Sequence, residues 1–358
     1  MTKTTAESES PPSRASGKVA SVVFSFRNEE ENIPELIRRT RAVFADLQKT
    51  GSIESHELIF VNDASTDRSE EMLMELDSGH NDIRIINMSR NFGVFPCTFA
   101  GFQHASGDVV IYMDSDLQDP PEIIPRLIEK WASEENIDVV HTVRTSRAGE
   151  SWFKLATTRI GYWLLKGISN FDLPIEAGDF KLLSRRAVSH LIRFKEKMPY
   201  TRGLVCWVGF NQKSITYERD PRFSGETKFR TLGLGAITNF ANSALISFSS
   251  VPLQISSLLG LFGFFTSAFM IMHVAFEKLS GQSIPGWTAI MTAVLFIGSI
   301  QLLATGVLGL YIHSIYTEVK GRPNYIIESL YGFQNEFSVE DDNDIREILK
   351  KLQKIKLP

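Results

Sequence analysis

The sequence predicts an α/β fold, a largely parallel sheet interleaved with helices, followed by two membrane-spanning helices. Two observations carry this expectation. From Lys18 onward, short apolar runs alternate with amphipathic stretches, the pattern of strand–helix–strand units that bury a sheet on both faces. Further along, Glu277 and Lys278 are the only charged residues between positions 251 and 317, in a chain with 38 Lys and Arg and 42 Asp and Glu.

Residues 1–17, MTKTTAESESPPSRASG, lack the apolar run of a signal peptide and read as a disordered leader. The α/β domain follows over 18–230. VASVVFSF (19–26), HELIFVN (56–62), IRIINM (83–88), DVVIYMD (108–114) and IDVVHTV (137–143) are apolar enough to be buried strands. Between them, 28–48, 66–77, 93–104 and 120–131 carry helical patterns, and Pro120-Pro121 suits a first helical turn, where a missing N–H costs nothing. The ligand site of such a sheet lies beyond the carboxyl ends of its strands.

Residues 231–250 carry no charge and repeat Ile237, Phe240, Ala241, Ala244, Leu245 and Phe248 at helical spacing, so an amphipathic helix in the membrane interface is expected there. Segments 253–276 and 287–311 are each long enough to cross ~30 Å of hydrocarbon at 1.5 Å per residue. Arg219, Arg222, Lys228 and Arg230 precede the pair, Lys320 and Arg322 follow it, and the connecting loop has Lys278 alone. This bias predicts a multi-pass protein of the inner or plasma membrane with its α/β domain and both termini in the cytoplasm. The remainder, 318–358, reads as a cytoplasmic tail, acidic at first and then a basic helix striped by Ile345, Ile348, Leu349, Leu352 and Ile355.

Composition and missing motifs narrow the chemistry. A net charge of −4 offers no basic field for nucleic acid. Cys97 and Cys206, far apart, make neither a disulfide framework nor a zinc cluster. There is no phosphate-binding GxxxxGK[ST], the GLG at 233–235 follows no strand, and GxSxG, HExxH and the kinase set are missing.

The residues that remain point to a metal-assisted nucleotide site. Asp114 and Asp116 end an apolar strand, with Gln118 just beyond. Two carboxylates and a carboxamide oxygen at this spacing suit one hard divalent cation, which would hold a diphosphate. Asp63, just past the second strand, can accept hydrogen bonds from a base or ribose, while Ser65 and Thr66 can cap the next helix. Arg27 and Glu29 lie at the same sheet edge, although an acidic first helical turn also accounts for Glu29 to Glu31.

Taken in order, VVFSFRNEEENI, VNDASTD, SRNFG, GDVVIYMDSDLQDPPE, VRTSRAGESWFK, AGDFKLLSRRAV, RGLVCWVGF, PRFSGETKF and GLYIHSIYTEVKGRPNYI resemble the polyisoprenyl-phosphate glycosyltransferases of family 2. These are enzymes of the bactoprenol glucosyltransferase and dolichol-phosphate mannose synthase type, and the likeness runs from about residue 19 to 330. It implies a GT-A fold for 18–230 and a Mg²⁺ or Mn²⁺ ion on Asp114, Asp116 and Gln118. It further implies nucleotide-sugar contacts from Ser25, Arg27, Glu29, Asp63, Asp114 and Asp116, and phosphate contacts from Arg144, Arg222 and Lys228. Asp179, with Arg222 and Asp116, falls in the implied catalytic set, Asp179 matching a carboxylate proposed near the acceptor as a base. Ser25 and Arg27 stand where the family usually has Pro and Tyr, Asn62 where Asp is more usual, and Val94-Phe95 where a polar pair is common.

The implied reaction is inverting transfer of a hexose from a nucleotide-sugar, UDP-glucose being the expected donor, to membrane-embedded polyprenyl phosphate such as undecaprenyl phosphate. A homotetramer is implied by the same likeness. Because a phosphate monoester has its second pKa near ~6, the acceptor is already anionic at neutral pH, and Asp179 can orient or select it more than deprotonate it. A processive polysaccharide synthase would carry QxxRW and an ED acceptor base, and neither stands in the α/β domain. A non-catalytic membrane scaffold is at odds with an intact Asp114, Asp116 and Gln118.

Overall fold

The computed structural model describes residues 14–144, 177–194, 196, 201–218, 251–280 and 286–333. Strands β1 (Val19–Phe26), β2 (Ser55–Asn62), β3 (Ile83–Met88), β4 (Val109–Asp114), β5 (Ile137–Arg144), β6 (Ala177–Ser184), β7 (Asn211–Tyr217) and β8 (Ile327–Tyr331) form one sheet in the order β7-β5-β6-β4-β1-β2-β3-β8. Helices α1 (Ile33–Lys49), α2 (Ser69–Asp77), α3 (Val94–His104) and α4 (Ile124–Ala132) connect the first five strands, and α5 (Arg185–Leu191) and α6 (Thr201–Trp207) follow β6.

Strand alternation sends neighbouring residues to opposite faces. One face packs Phe24, Phe60 and Phe180 against Phe44 of α1 and Trp131 of α4, with the Phe24 and Phe60 rings stacked at 4.7 Å. The other packs Val23, Ile59, Tyr112 and Leu183 against Phe102 of α3 and Val188 of α5. Both faces are therefore covered, as the apolar runs predicted.

The structure corrects four expectations. The sheet is mixed, because β6 runs antiparallel to both β4 and β5, and β8 antiparallel to β3. In β6, Asp179 and Lys181 interrupt one face of the apolar pattern while Phe180 and Leu182 fill the other, so the strand is hidden from a hydrophobicity reading. The segment taken as a tail begins inside a helix, continues through residues 320–326 and then supplies edge strand β8, where Asn87 Nδ2 donates to Ser329 Oγ at 2.9 Å. Helix α1 starts at Ile33 and not at 28, since Asn28 is left-handed (φ 54°) and its Oδ1 accepts the Thr66 N–H at 2.8 Å. Finally, the end of the leader is packed: Ala15 is buried, and the Arg14 guanidinium lies 4.3 Å over the Trp131 ring and donates to the Glu134 carbonyl at 2.8 Å.

Two long helices, α7 (Val251–Leu279) and α8 (Trp287–Val319), follow the sheet domain in sequence. Ser256 Oγ of α7 donates to the Ala304 carbonyl of α8 at 3.2 Å. Among the described residues, one stretch, Ala293–Val319, is long and apolar enough to cross a membrane by length and composition. The uninterrupted apolar stretch described within α7, Ser256–Thr266, is too short to qualify. The expected pair of segments at 253–276 and 287–311 is thus matched by two helices but by a single qualifying span. The expected interfacial helix at 231–250 lies outside the described residues.

Candidate active site

Each of the first four strands ends in a loop containing one left-handed residue: Asn28 (φ 54°), Ala64 (φ 53°), Gly93 (φ 93°) and Leu117 (φ 57°). For a non-glycine residue this conformation costs roughly 1–2 kcal/mol, and such strain gathers where backbone must be aimed. The loops brace one another. Asn28 N donates to Ser65 Oγ at 3.0 Å, so Ser65 serves the loop after β1, and α2 begins later, at Ser69. Asp63 is buried, and its carboxylate accepts hydrogen bonds from Asn91 Nδ2 (2.7 Å), Phe92 N (2.7 Å) and Gly93 N (3.0 Å). It fastens the loop after β3 to the end of β2. Arg27 is exposed at this edge, while Glu29 accepts from Asn32 Nδ2 at 2.6 Å.

At the centre, Ser25 Oγ lies 2.9 Å from Tyr112 OH, which donates to Asp114 Oδ1 at 3.2 Å. Ser25 therefore stands level with Asp114 on the neighbouring strand and is linked to it by a tyrosine. Ser115 Oγ donates to the Ser25 carbonyl at 3.1 Å and ties β4 to β1. The left-handed turn at Leu117 brings Gln118 N back to Asp116 Oδ1 at 3.2 Å. Burial, together with the carboxylates of Asp179, Asp119 and Asp116, pushes Asp114 up to about 7. An excess of buried carboxylates is what a divalent cation relieves. Among the described residues no three His, Cys, Asp or Glu side chains are grouped to hold a metal by themselves. Asp114 and Asp116 with Gln118 nevertheless fit the way Mg²⁺ is held, by one or two carboxylates with water and substrate phosphates completing the shell.

Beside the carboxylates lies a cationic group. The antiparallel register that pairs Tyr112 with Lys181 brings Asp114 level with Asp179 of the neighbouring strand. Asp179 accepts a two-pronged grip from Arg202 of α6, Nε to Oδ1 at 2.8 Å and Nη2 to Oδ2 at 2.5 Å. Lys181, fully buried, shares the same face of β6. Burial alone would raise the proton affinity of Asp179, but Arg202, Lys181 and Arg144 outweigh it and hold the group at about 2. Burial pulls the Lys181 ammonium below its ordinary value, against the attraction of Asp179. Arg144 Nη2 stands 3.8 Å from Asp119, and Tyr217 OH donates to the same carboxylate. Burial and Asp119 push Tyr217 up to about 12, so it remains a donor.

The structure thus unites Ser25, Asp114, Asp116, Gln118, Arg144 and Asp179 along the carboxyl edge, with Asp63 bracing a neighbouring loop. Arg222 and Lys228 lie outside the described residues. Sequence reasoning missed Tyr112, Asp119, Lys181, Arg202 and Tyr217 as site residues. Asp119 and Arg202 stood within quoted motifs without a role, whereas Tyr217 ends a strand that carries no motif.

A family model described as Glycosyl transferase family 2 matches residues 21–192. An uncharacterized glycosyltransferase of Bacillus subtilis, YkcC, is 40% identical over 324 residues, covering 90% of this chain and 97% of its own length. The bactoprenol glucosyl transferase of Shigella phage SfII is 37% identical over 315 residues, 87% of this chain and 97% of that protein. Among solved structures, the mannosyltransferase PcManGT from Pyrobaculum calidifontis in complex with GDP-Man and Mn²⁺ is similar over 95% of this chain and 82% of its own, at 14% identity and a TM-score of 0.44.

Proposed function

This chain belongs to glycosyltransferase family 2, and from that premise we propose that it transfers a hexose from a nucleotide-sugar, UDP-glucose first among candidates, to the phosphate of a membrane-held polyprenyl phosphate with inversion. The observation that carries the reading is the juxtaposition of two fields at one sheet edge. Asp114 and Asp116 crowd with Asp119 on one side, and Arg144, Lys181 and Arg202 gather around Asp179 on the other. The first suits a cation carrying a diphosphate, the second a phosphate. The relatives named bactoprenol glucosyl transferase and the apolar stretch Ala293–Val319 support a lipid acceptor and a membrane anchor.

In this mechanism Asp114 and Asp116, with Gln118, would hold Mg²⁺ or Mn²⁺. Bound there, the ion neutralises charge on the departing nucleoside diphosphate. Ser25, Arg27, Glu29 and Asp63 would serve the base and ribose end of the donor, Asp63 by holding its loop. An anionic oxygen of the acceptor phosphate bonds to the anomeric carbon while the bond from that carbon to the diphosphate oxygen breaks, and the electron pair leaves with the nucleoside diphosphate. No proton has to move, because the second pKa of a phosphate monoester is near ~6. Arg144, Arg222 and Lys228 would meet phosphate oxygens. With α7 and α8 both crossing the bilayer and 231–250 at its surface, the α/β domain would stay in the cytoplasm beside an acceptor confined to two dimensions, which raises its effective concentration.

The test is transfer by the purified full-length protein in lipid vesicles containing undecaprenyl phosphate, offered UDP-glucose, UDP-galactose or GDP-mannose with Mg²⁺ or Mn²⁺. A lipid-extractable hexose product from one donor, abolished by EDTA, is the expected result. Absence of such a product with every donor would overturn the proposal.

A further inference from the structure

We propose that the chain leaving α8 braces the nucleotide end of the site, and that Asn87 and Ser329 are positioning residues for the donor. The inference deepens the reading above and rests on it, since it takes the loops after β1 to β3 for the nucleotide end.

A relay of side-chain amides runs from the edge strand into those loops. Asn62 of β2 and Asn87 of β3 stand level in the parallel register, and Asn62 Nδ2 donates to Asn87 Oδ1 at 3.0 Å. Asn87 Nδ2 donates to Ser329 Oγ of β8 at 2.9 Å and to the Glu70 carboxylate of α2 at 2.5 Å. At the other end Asn62 Oδ1 accepts the Ser65 N–H at 2.9 Å, and Ser65 Oγ accepts the Asn28 N–H at 3.0 Å. Both ends fix the direction of the relay. A peptide N–H only donates and a carboxylate only accepts, so Asn62 turns its oxygen to Ser65 and Asn87 its nitrogen to Glu70. Both asparagines are buried, where stranding an amide group costs more than its hydrogen bond contributes.

The strand that completes this relay is separated from α8 by residues 320–326 alone. Ser329 pairs with Asn87 and Ile327 with Met88, so Glu328 is an extra residue on β8, a bulge. With this register the Ile326 carbonyl accepts the Ser89 N–H at 3.0 Å. The loop after β3 is thus held at its start by the chain from α8 and at Asn91, Phe92 and Gly93 by Asp63. Tyr325 OH adds a grip on α3, the helix that follows this loop, by donating to Gln103 Oε1 at 2.5 Å. Backbone pairing alone closes a sheet edge. A buried polar relay adds specificity, because it is fully bonded only when the loops and β8 hold this one arrangement.

The experiment uses full-length protein in vesicles and varies undecaprenyl phosphate and the nucleotide-sugar that supports transfer separately. Ser329→Ala, which removes one acceptor on a partly buried edge strand, is expected to raise the donor KM roughly fivefold, with kcat and the acceptor KM within about twofold. Ser329→Thr, which restores the hydroxyl, should return the donor KM to the wild-type value. Asn87→Ala is expected to raise it roughly tenfold or more, and Ser329→Ala should add almost nothing in that background, since both act through one amide. Equal rises for the two substrates, or a lower melting temperature of Ser329→Ala with both KM values unchanged, would make the relay a fold element only and overturn the proposal. Calorimetric titration with UDP and with GDP, each with Mg²⁺ and without acceptor, separates this inference from the wider reading. If no lipid product forms, yet one nucleotide binds the wild type and Ser329→Thr alike and Ser329→Ala more weakly, the brace stands while the transfer reaction falls. Equal nucleotide binding by wild type and Ser329→Ala, or binding of neither nucleotide by the wild type, removes the positioning role.

Discussion

The loops after β1 to β4 and the cluster spread over β5, β6, β7 and α6 line one edge of one sheet, but they are assembled in different ways. In the first region each strand of a consecutive series delivers its own short loop, and the loops are fastened to each other by Asn28, Ser65 and Asp63. In the second, Arg144, Asp179, Arg202 and Tyr217 come from four separate segments and meet one another, and Asp119 of the loop after β4, only through long-range pairing. Their fields are opposite too. Asp114 is pushed up to about 7 by burial and neighbouring carboxylates, whereas cations hold Asp179 at about 2 against burial, although the two lie level on adjacent strands. Two carboxylates with the same intrinsic chemistry are thus split into a group crowded by other carboxylates and an ionised partner of arginine; in the proposed function the first belongs to a metal side of the edge and the second to a phosphate side.

The sharpest break of this comparison is at Asp116. Asp116→Ala is expected to lower turnover by on the order of 10²-fold or more, with the wild-type melting temperature retained and with metal chelation giving the same loss. Full activity of the variant in excess EDTA would erase the metal side altogether. The next effect belongs to Asp63, whose removal strands the side-chain and backbone donors of Asn91, Phe92 and Gly93. Thermal melts of Asp63→Ala should show a loss of about 3 kcal/mol, and kinetics a raised donor KM with little change for the acceptor. An equal rise for both substrates would mean that the two sides are not separable.

His141 sharpens the comparison on the phosphate side. Burial, then the charge of Lys181, pulls it down to about 4, while Gln212 Oε1 lies 2.8 Å from Nε2 and works in the opposite direction. The unfolded chain, with an ordinary histidine pKa near ~6.5, binds the proton first. Stability from this group is therefore complete above ~6.5 and falls as pH drops towards about 4, by up to about 3 kcal/mol. Melting temperatures measured from pH 7 to 4.5 should fall in the wild type and fall less in His141→Gln; identical curves would refute a buried neutral imidazole. The smallest expected effect is at Gly101 of α3, where a methyl group would stand 2.2 Å from Val23 Cγ1 of β1. Gly101→Ala should cost roughly 1–3 kcal/mol of stability without favouring either substrate's KM, because the contact underlies the sheet and neither side of its edge.

Legibility in the sequence followed the same divide. Strands β1 to β5 and helices α1 to α4 stood out because apolar residues dominate a strand covered on both faces and helices that cover it carry an apolar stripe. Asp114, Asp116 and Gln118 were readable because they directly follow such a strand. Strand β6 was not, since Asp179 and Lys181 break its apolar pattern for the sake of the site, and local rules fail where function overrides them. β8 was missed because an edge strand is paired on one side and needs no apolar run.

By itself the sequence determined the alternating α/β half, the carboxylate pair at the end of β4, the long uncharged stretch and membership of glycosyltransferase family 2, since each of these is written in adjacent residues. Only the tertiary structure decided that Asp179 is held by Arg202, that Asp119 meets Tyr217 and Arg144, and that Asp63 braces a loop. The first two depend on the antiparallel insertion of β6 between β4 and β5, and the third on the parallel pairing of β2 with β3. Register between strands distant in sequence is set by the packing of both sheet faces at once, and no local pattern of residues encodes it.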